Sequence, residues 1–162
     1  MIRSLLFVFV LIAVASCGSS STKPAQEPAQ QVQQSPFANL GLRFDGYYQE
    51  SLGDLRYAMR FFPEGRIVLV NGTKDIEADL PKFLVRETQG NPSMGLYNVM
   101  PEVRSDSIFF KTYPEKGEIS YRGKVMSGSL VRFNRYSHIN GVSQDKEYIF
   151  HPDTIPASTE ER

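Results

Sequence analysis

From Phe44 to Phe150 the apolar residues recur mostly at every second position, the period of a strand with one buried face and not of a helix. Residues 55–62 set Leu55, Tyr57, Met59 and Phe61 on one side and Arg56, Ala58 and Arg60 on the other. Residues 118–125 repeat the pattern, with Ile119, Tyr121, Gly123 and Val125 alternating against Ser120, Arg122 and Lys124. Phe62-Pro63-Glu64-Gly65 and Pro114-Glu115-Lys116-Gly117 separate such runs, and proline followed by glycine at this spacing closes a hairpin. Each run therefore pairs antiparallel with the next.

Carried along the chain, this rule predicts strands over residues 44–49, 55–62, 66–71, 95–99, 107–113, 118–125, 129–136 and 147–150. One short helix is predicted over 79–87, where Pro81 is tolerated in a first turn, Leu80, Phe83 and Leu84 share a face, and Gly90 follows the end. The expected fold is all-β with one short helix: an up-and-down antiparallel meander of about eight strands closing into a barrel. Closure removes the exposed edges that an open meander would keep. A two-sheet β-sandwich is the alternative.

The first seventeen residues follow other rules. Arg3 precedes an unbroken apolar run over residues 5–15, and eleven residues at about 1.5 Å each cannot span roughly 30 Å of hydrocarbon. The run ends in the small residues Ala15 and Ser16, followed by Cys17, the only cysteine of the chain. With no second cysteine, an internal disulfide is impossible.

Val14-Ala15-Ser16-Cys17 resembles the lipobox of bacterial lipoproteins. The resemblance implies cleavage between Ser16 and Cys17, loss of residues 1–16 as a signal peptide, and acylation of Cys17, by palmitate or similar chains. Two or three acyl chains exceed the marginal hold of one, at about 0.8 kcal/mol per buried methylene. The implied partner is thus membrane lipid. Gly18, in place of an aspartate after the cysteine, implies sorting to the outer membrane with the protein facing the periplasm.

Residues 17–36 read as the lipidated cysteine and a disordered tether. The segment is rich in Ser, Pro and Gln, holds no aromatic residue, and has too little apolar surface to offset the entropy of ordering. As a random coil its nineteen residues after Cys17 span roughly 25 Å. The domain is expected over 37–152, with a polar tail over 153–162. Without Arg3 the mature chain has 17 Lys+Arg against 18 Asp+Glu, a balance that carries no footprint for nucleic acid.

Gly46-Tyr47-Tyr48 is similar to the G-x-W motif of lipocalin-like, or calycin, barrels, with Tyr48 at the tryptophan position. Tyr148-Ile149-Phe150 is of the kind found on their closing strands. The chain departs from that pattern in having no tryptophan and no arginine on the last strand. The resemblance implies a barrel cavity for a small apolar or amphipathic ligand, with Tyr48, Tyr57, Met59, Phe61 and Tyr121 as lining residues on shared alternation faces. An eight-stranded barrel can equally be filled by its own side chains, and a solid barrel would suit an envelope protein-protein interaction module.

Catalytic and cofactor signals are thin. His138 and His151 fall in a loop and at a strand end without ligand spacing, so no metal or cofactor is expected. Met126-Ser127-Gly128-Ser129 lacks the flanking glycines of a nucleophile elbow and reads as a turn. Arg56, Arg60 and Arg66 lie around one hairpin, where they would form a small basic patch on a solvated face. The sequence therefore points to a non-catalytic protein.

Overall fold

The structure, a computed structural model, describes residues 34–153. The readings on the signal peptide, the cleavage site, Cys17, nearly all of the tether and the tail beyond Asp153 lie outside the described residues.

Among the described residues, nine strands form one antiparallel sheet: β1 (Gly46–Leu52), β2 (Leu55–Phe61), β3 (Ile67–Thr73), β4 (Leu96–Val99), β5 (Glu102–Arg104), β6 (Ser107–Thr112), β7 (Ile119–Ser127), β8 (Leu130–Ser137) and β9 (Val142–Pro152). Their order across the sheet is β4-β3-β2-β1-β9-β8-β7-β6-β5. The expected all-β meander is present, and a single curled, barrel-like sheet replaces the two sheets of a sandwich.

The two outermost strands are successive in the chain. β4 pairs with β3 and β5 pairs with β6, with only Met100 and Pro101 between them. Proline has no N–H to give a ladder, so the run 96–104 breaks there and changes partner. Counted as one broken strand, β4 and β5 reconcile nine strands with the eight expected. β5 was missed because Glu102-Val103-Arg104 is too short to show a period.

Both proline-glycine turns form as expected. The Gly65 N–H donates to the Phe62 carbonyl at 2.9 Å and the Gly117 N–H to the Pro114 carbonyl at 3.0 Å. Gly65 sits at φ +100°, a region that side chains disfavour.

The inward face carries the main core. Tyr48, Met59, Ile67, Ile108, Val131, Phe133 and Tyr148 are each at most 1 % exposed. One end of the barrel is stoppered by the segment before β1: Phe37 packs edge-on to Phe61 with centroids 5.5 Å apart, and Leu42 joins the same cluster. Tyr48 ties this stopper down, since its hydroxyl accepts from the Arg43 N–H at 3.0 Å and donates to the Gly128 carbonyl at 3.1 Å.

Three expectations are corrected. β2 and β3 are buried on both faces, because Ala58, Val68 and Val70 on the outward side lie under Leu80 and Leu84. The helix that covers them is a 3₁₀ helix at Lys74–Phe83, five residues earlier than the α-helical pattern suggested. Leu80 and Leu84 still anchor it, while Pro81 removes a donor that a regular α-helix would need. β9 runs from Val142, not from residue 147, because Val142 to Asp145 are exposed on both faces and give no burial period.

The arginine patch is also absent as such. Arg56 pairs with Glu77 at 2.8 Å, Arg60 pairs with Asp153 at 2.5 Å, and Arg66 donates to the Arg86 carbonyl at 3.3 Å. The charges of Arg56 and Arg60 are spent on tying the 3₁₀ helix and the chain's last described residue to the barrel.

Candidate functional site: a seam and a polar mouth

The broken strand leaves the barrel wall incomplete. The β5 ladder on β6 ends at Phe109, so Phe110 to Thr112 pair with β7 alone, while β4 leans on β3. On its free side β4 is bridged only at Leu96, which exchanges backbone hydrogen bonds with Asn91 at 2.7 and 3.0 Å. Between the two free edges lies a cavity of about 860 Å³. Inward-facing Tyr97, Phe110, Thr112 and Tyr121 form its floor, and Met100, Phe109, Tyr113 and Tyr136 its rim. Phe110 and Tyr121 are stacked at 4.5 Å, presenting a flat aromatic surface.

A second cavity, of about 510 Å³, is the barrel's mouth at the end opposite the stopper. Tyr57, Asn71, Tyr97, Ile119 and Arg135 line it from within, and Glu115, Lys116 and Ile139 from the hairpin tips. Pro92 and Tyr97 line both cavities, so the seam and the mouth are contiguous.

The mouth end of the interior is polar. Lys146, 2 % exposed, points inward from β9 in phase with Tyr148 and Phe150. Its ammonium lies 3.0 Å from the Glu50 carboxylate of β1 and 4.6 Å from the Tyr57 ring centroid. A buried lysine persists only with such a partner, and the ring face adds attraction for the cation. Burial raises the pKa of Tyr97 and Tyr121, and raises that of Tyr148 further; the Arg135 charge opposes the shift in all three. All three therefore stay protonated at neutral pH and can donate hydrogen bonds. Two buried polar atoms near this group, Thr112 Oγ1 and Arg135 Nε, make no hydrogen bond of good geometry among the described residues, although both side chains interact with the Tyr121 hydroxyl.

All five residues expected to line a cavity point inward, but they separate along the barrel. Tyr48, Met59 and Phe61 lie in the packed core toward the stopper, Tyr57 is in the mouth, and Tyr121 is on the floor of the seam. The interior is thus solid at one end and open at the other. Sequence reasoning missed Tyr97, Phe110, Arg135 and Lys146 as site residues. The spacing Lys146-x-Tyr148-x-Phe150 carried the signal for Lys146, which a charged residue in an inward phase obscured.

One polar cluster bears on catalysis. Ser120 Oγ lies 2.7 Å from His138 Nε2, and the Glu118 carboxylate lies 3.2 Å from the same nitrogen. A nucleophilic relay needs the serine and the acid on opposite ring nitrogens, so this arrangement cannot pass a proton through the imidazole. Glu118 is also tied to Lys111 at 2.8 Å, and that hydrogen bond is the main reason its carboxyl lies below the ordinary range. No group of three metal-ligating side chains converges among the described residues.

Compared with protein-family models, with curated proteins and with solved structures, the chain has no significant match.

Proposed function

We propose that this chain is a lipid-anchored bacterial envelope lipoprotein, held by acylated Cys17 in the outer membrane and facing the periplasm, whose barrel binds a small hydrophobic or amphipathic molecule without transforming it. The seam cavity carries the binding half of this reading. An aromatic floor of Tyr97, Phe110 and Tyr121 is reached from outside through a wall that Pro101 leaves incomplete. A site of about 860 Å³ falls within the usual range for small-molecule pockets, roughly 300–1,000 Å³. The lipobox resemblance, the solitary cysteine and the tether composition support the anchoring half.

Both apolar clusters draw only on residues between Phe37 and Phe150, so residues 18–162 keep the whole core without lipid attached. Native mass spectrometry of that protein should show a co-purified apolar molecule, or uptake of one from a lipophilic library. An empty protein that also fails to enhance a lipophilic fluorophore sinks the binding reading. For the anchor, Cys17→Ser should abolish labelling by a fatty-acid analogue, and persistent label would refute it.

The solid end of the barrel, with Tyr48, Met59 and Phe61 fully packed, favours a second reading as an envelope interaction module. Crosslinking in the envelope separates the two, since that reading requires a reproducible protein partner and no ligand.

A further inference from the structure

We infer that Arg135, at the mouth of the barrel, is an anion subsite that takes the carboxylate head of a single-tailed amphiphile whose tail lies in the seam. This deepens the ligand-binding reading above and rests on it.

The charge pattern singles out Arg135. It sits on β8 opposite Tyr121 of β7 and Gln144 of β9, and its phase places it on the inward face. None of the ion pairs among the described residues includes it. The other inward cation, Lys146, is neutralised by Glu50, and Arg56, at the same mouth, is held by Glu77. Glu115 and Lys116 on the rim offset each other in sign. One positive charge is left uncompensated inside the mouth.

The hydrogen-bond inventory agrees. Arg135 Nε is buried with no acceptor in hydrogen-bond geometry, and the Tyr121 hydroxyl beside the guanidinium carries no charge to balance it. A carboxylate matches the guanidinium fork with two parallel bonds, and the hydroxyl-bearing Tyr57 and Tyr97 line the same cavity. An uncharged head would leave the guanidinium charge unanswered, and a cationic head would meet repulsion. Because the mouth and the seam share Pro92 and Tyr97, a head at Arg135 can continue into a tail over the stacked pair Phe110 and Tyr121.

The test uses residues 18–162 with cis-parinaric acid and its methyl ester as fluorescent probes, and sodium acetate as a tail-less competitor. At pH 7.5 the acid should bind at least about tenfold more tightly than the ester, as a charge-assisted pair implies. Arg135→Gln should remove that preference and leave ester affinity within about twofold, while Arg135→Lys should restore part of it. A thermal melt confirms that each variant is folded, and the acid-to-ester comparison in the unmodified protein needs no variant. Equal affinity for acid and ester, or a preference that survives Arg135→Gln, overturns the inference alone. Binding of neither probe overturns the ligand reading together with it. Displacement of the acid by millimolar acetate would show that the head suffices and overturn the placement of the tail.

Discussion

Replacing Lys146 by Met tests how the barrel tolerates a charge in its interior. The side chain is 2 % exposed and its ammonium lies 3.0 Å from Glu50, whose own side chain keeps 15 % of its surface exposed. Met matches the aliphatic length of lysine, so packing against Tyr57 survives and the change isolates the charge. Removing one member of a fully buried pair costs about 3–5 kcal/mol, because the other charge stays desolvated and unpaired. The residual exposure of Glu50 lets water reach it, which lowers the expected loss below that range, to about 2–3 kcal/mol. For a domain of this size that is a fall in Tm of roughly 10 °C. Thermal and urea melts followed by far-ultraviolet circular dichroism suit a chain without tryptophan. The double replacement Lys146→Met with Glu50→Leu should recover most of the loss, since two apolar groups leave nothing unpaired. A Lys146→Met protein that melts with the unmodified one, or a double variant no more stable than the single one, would show that the buried pair carries no such charge penalty.

Two further perturbations probe the wall and its outer brace. Gly123 on β7 faces Phe133, and an added methyl would stand 2.2 Å from that ring and 2.5 Å from the Arg132 carbonyl. Gly123→Ala should therefore cost about 3 kcal/mol or more by overpacking, and an unchanged melt would show that the two strands part more easily than their geometry implies. Glu77 braces the 3₁₀ helix, and the hydrogen bond from Arg56 holds its carboxyl below the ordinary carboxylate range against an opposing effect of desolvation. A depressed folded pKa means that the bond stabilises above the unfolded value of about 4.3 and that its contribution disappears as pH falls through the folded value. Amide exchange over residues 74–84, corrected for its intrinsic pH dependence, should rise in acid more than in the rest of the barrel. Glu77→Gln should flatten that local response, and a variant that still loosens in acid would assign the effect to another group.

The strand pattern was legible because most of the barrel obeys one rule. Tyr57, Met59 and Phe61, or Ile119, Tyr121 and Gly123, show their inward phase in the spacing alone, and each proline-glycine turn marks where the chain reverses. Legibility failed where a tertiary partner changed the local requirement. Ala58 read as part of the uncovered face of its strand until Leu80 and Leu84, packed with it and with Val68 and Val70, covered it. Lys146 lay just outside the closing strand expected over 147–150, and its partner Glu50 sits on the neighbouring strand β1, 96 positions away in the chain. The arginines of the β2-β3 hairpin read as a patch, but Glu77 and Asp153 neutralise two of them from segments that no local window joins to the hairpin.

The sequence by itself determined the secondary-structure class and the inward phase of most strands, because alternation and turn chemistry act over a few neighbouring residues. Its first seventeen residues likewise carry the expectation of a lipid anchor on Cys17 without help from the fold. Only the tertiary structure decided where the barrel is solid and where it is open. That depends on Pro101 breaking one strand between two partners, and on Arg135 facing an interior in which other cations are already paired. Both are consequences of how distant segments share hydrogen bonds and charge, and a period of two contains neither.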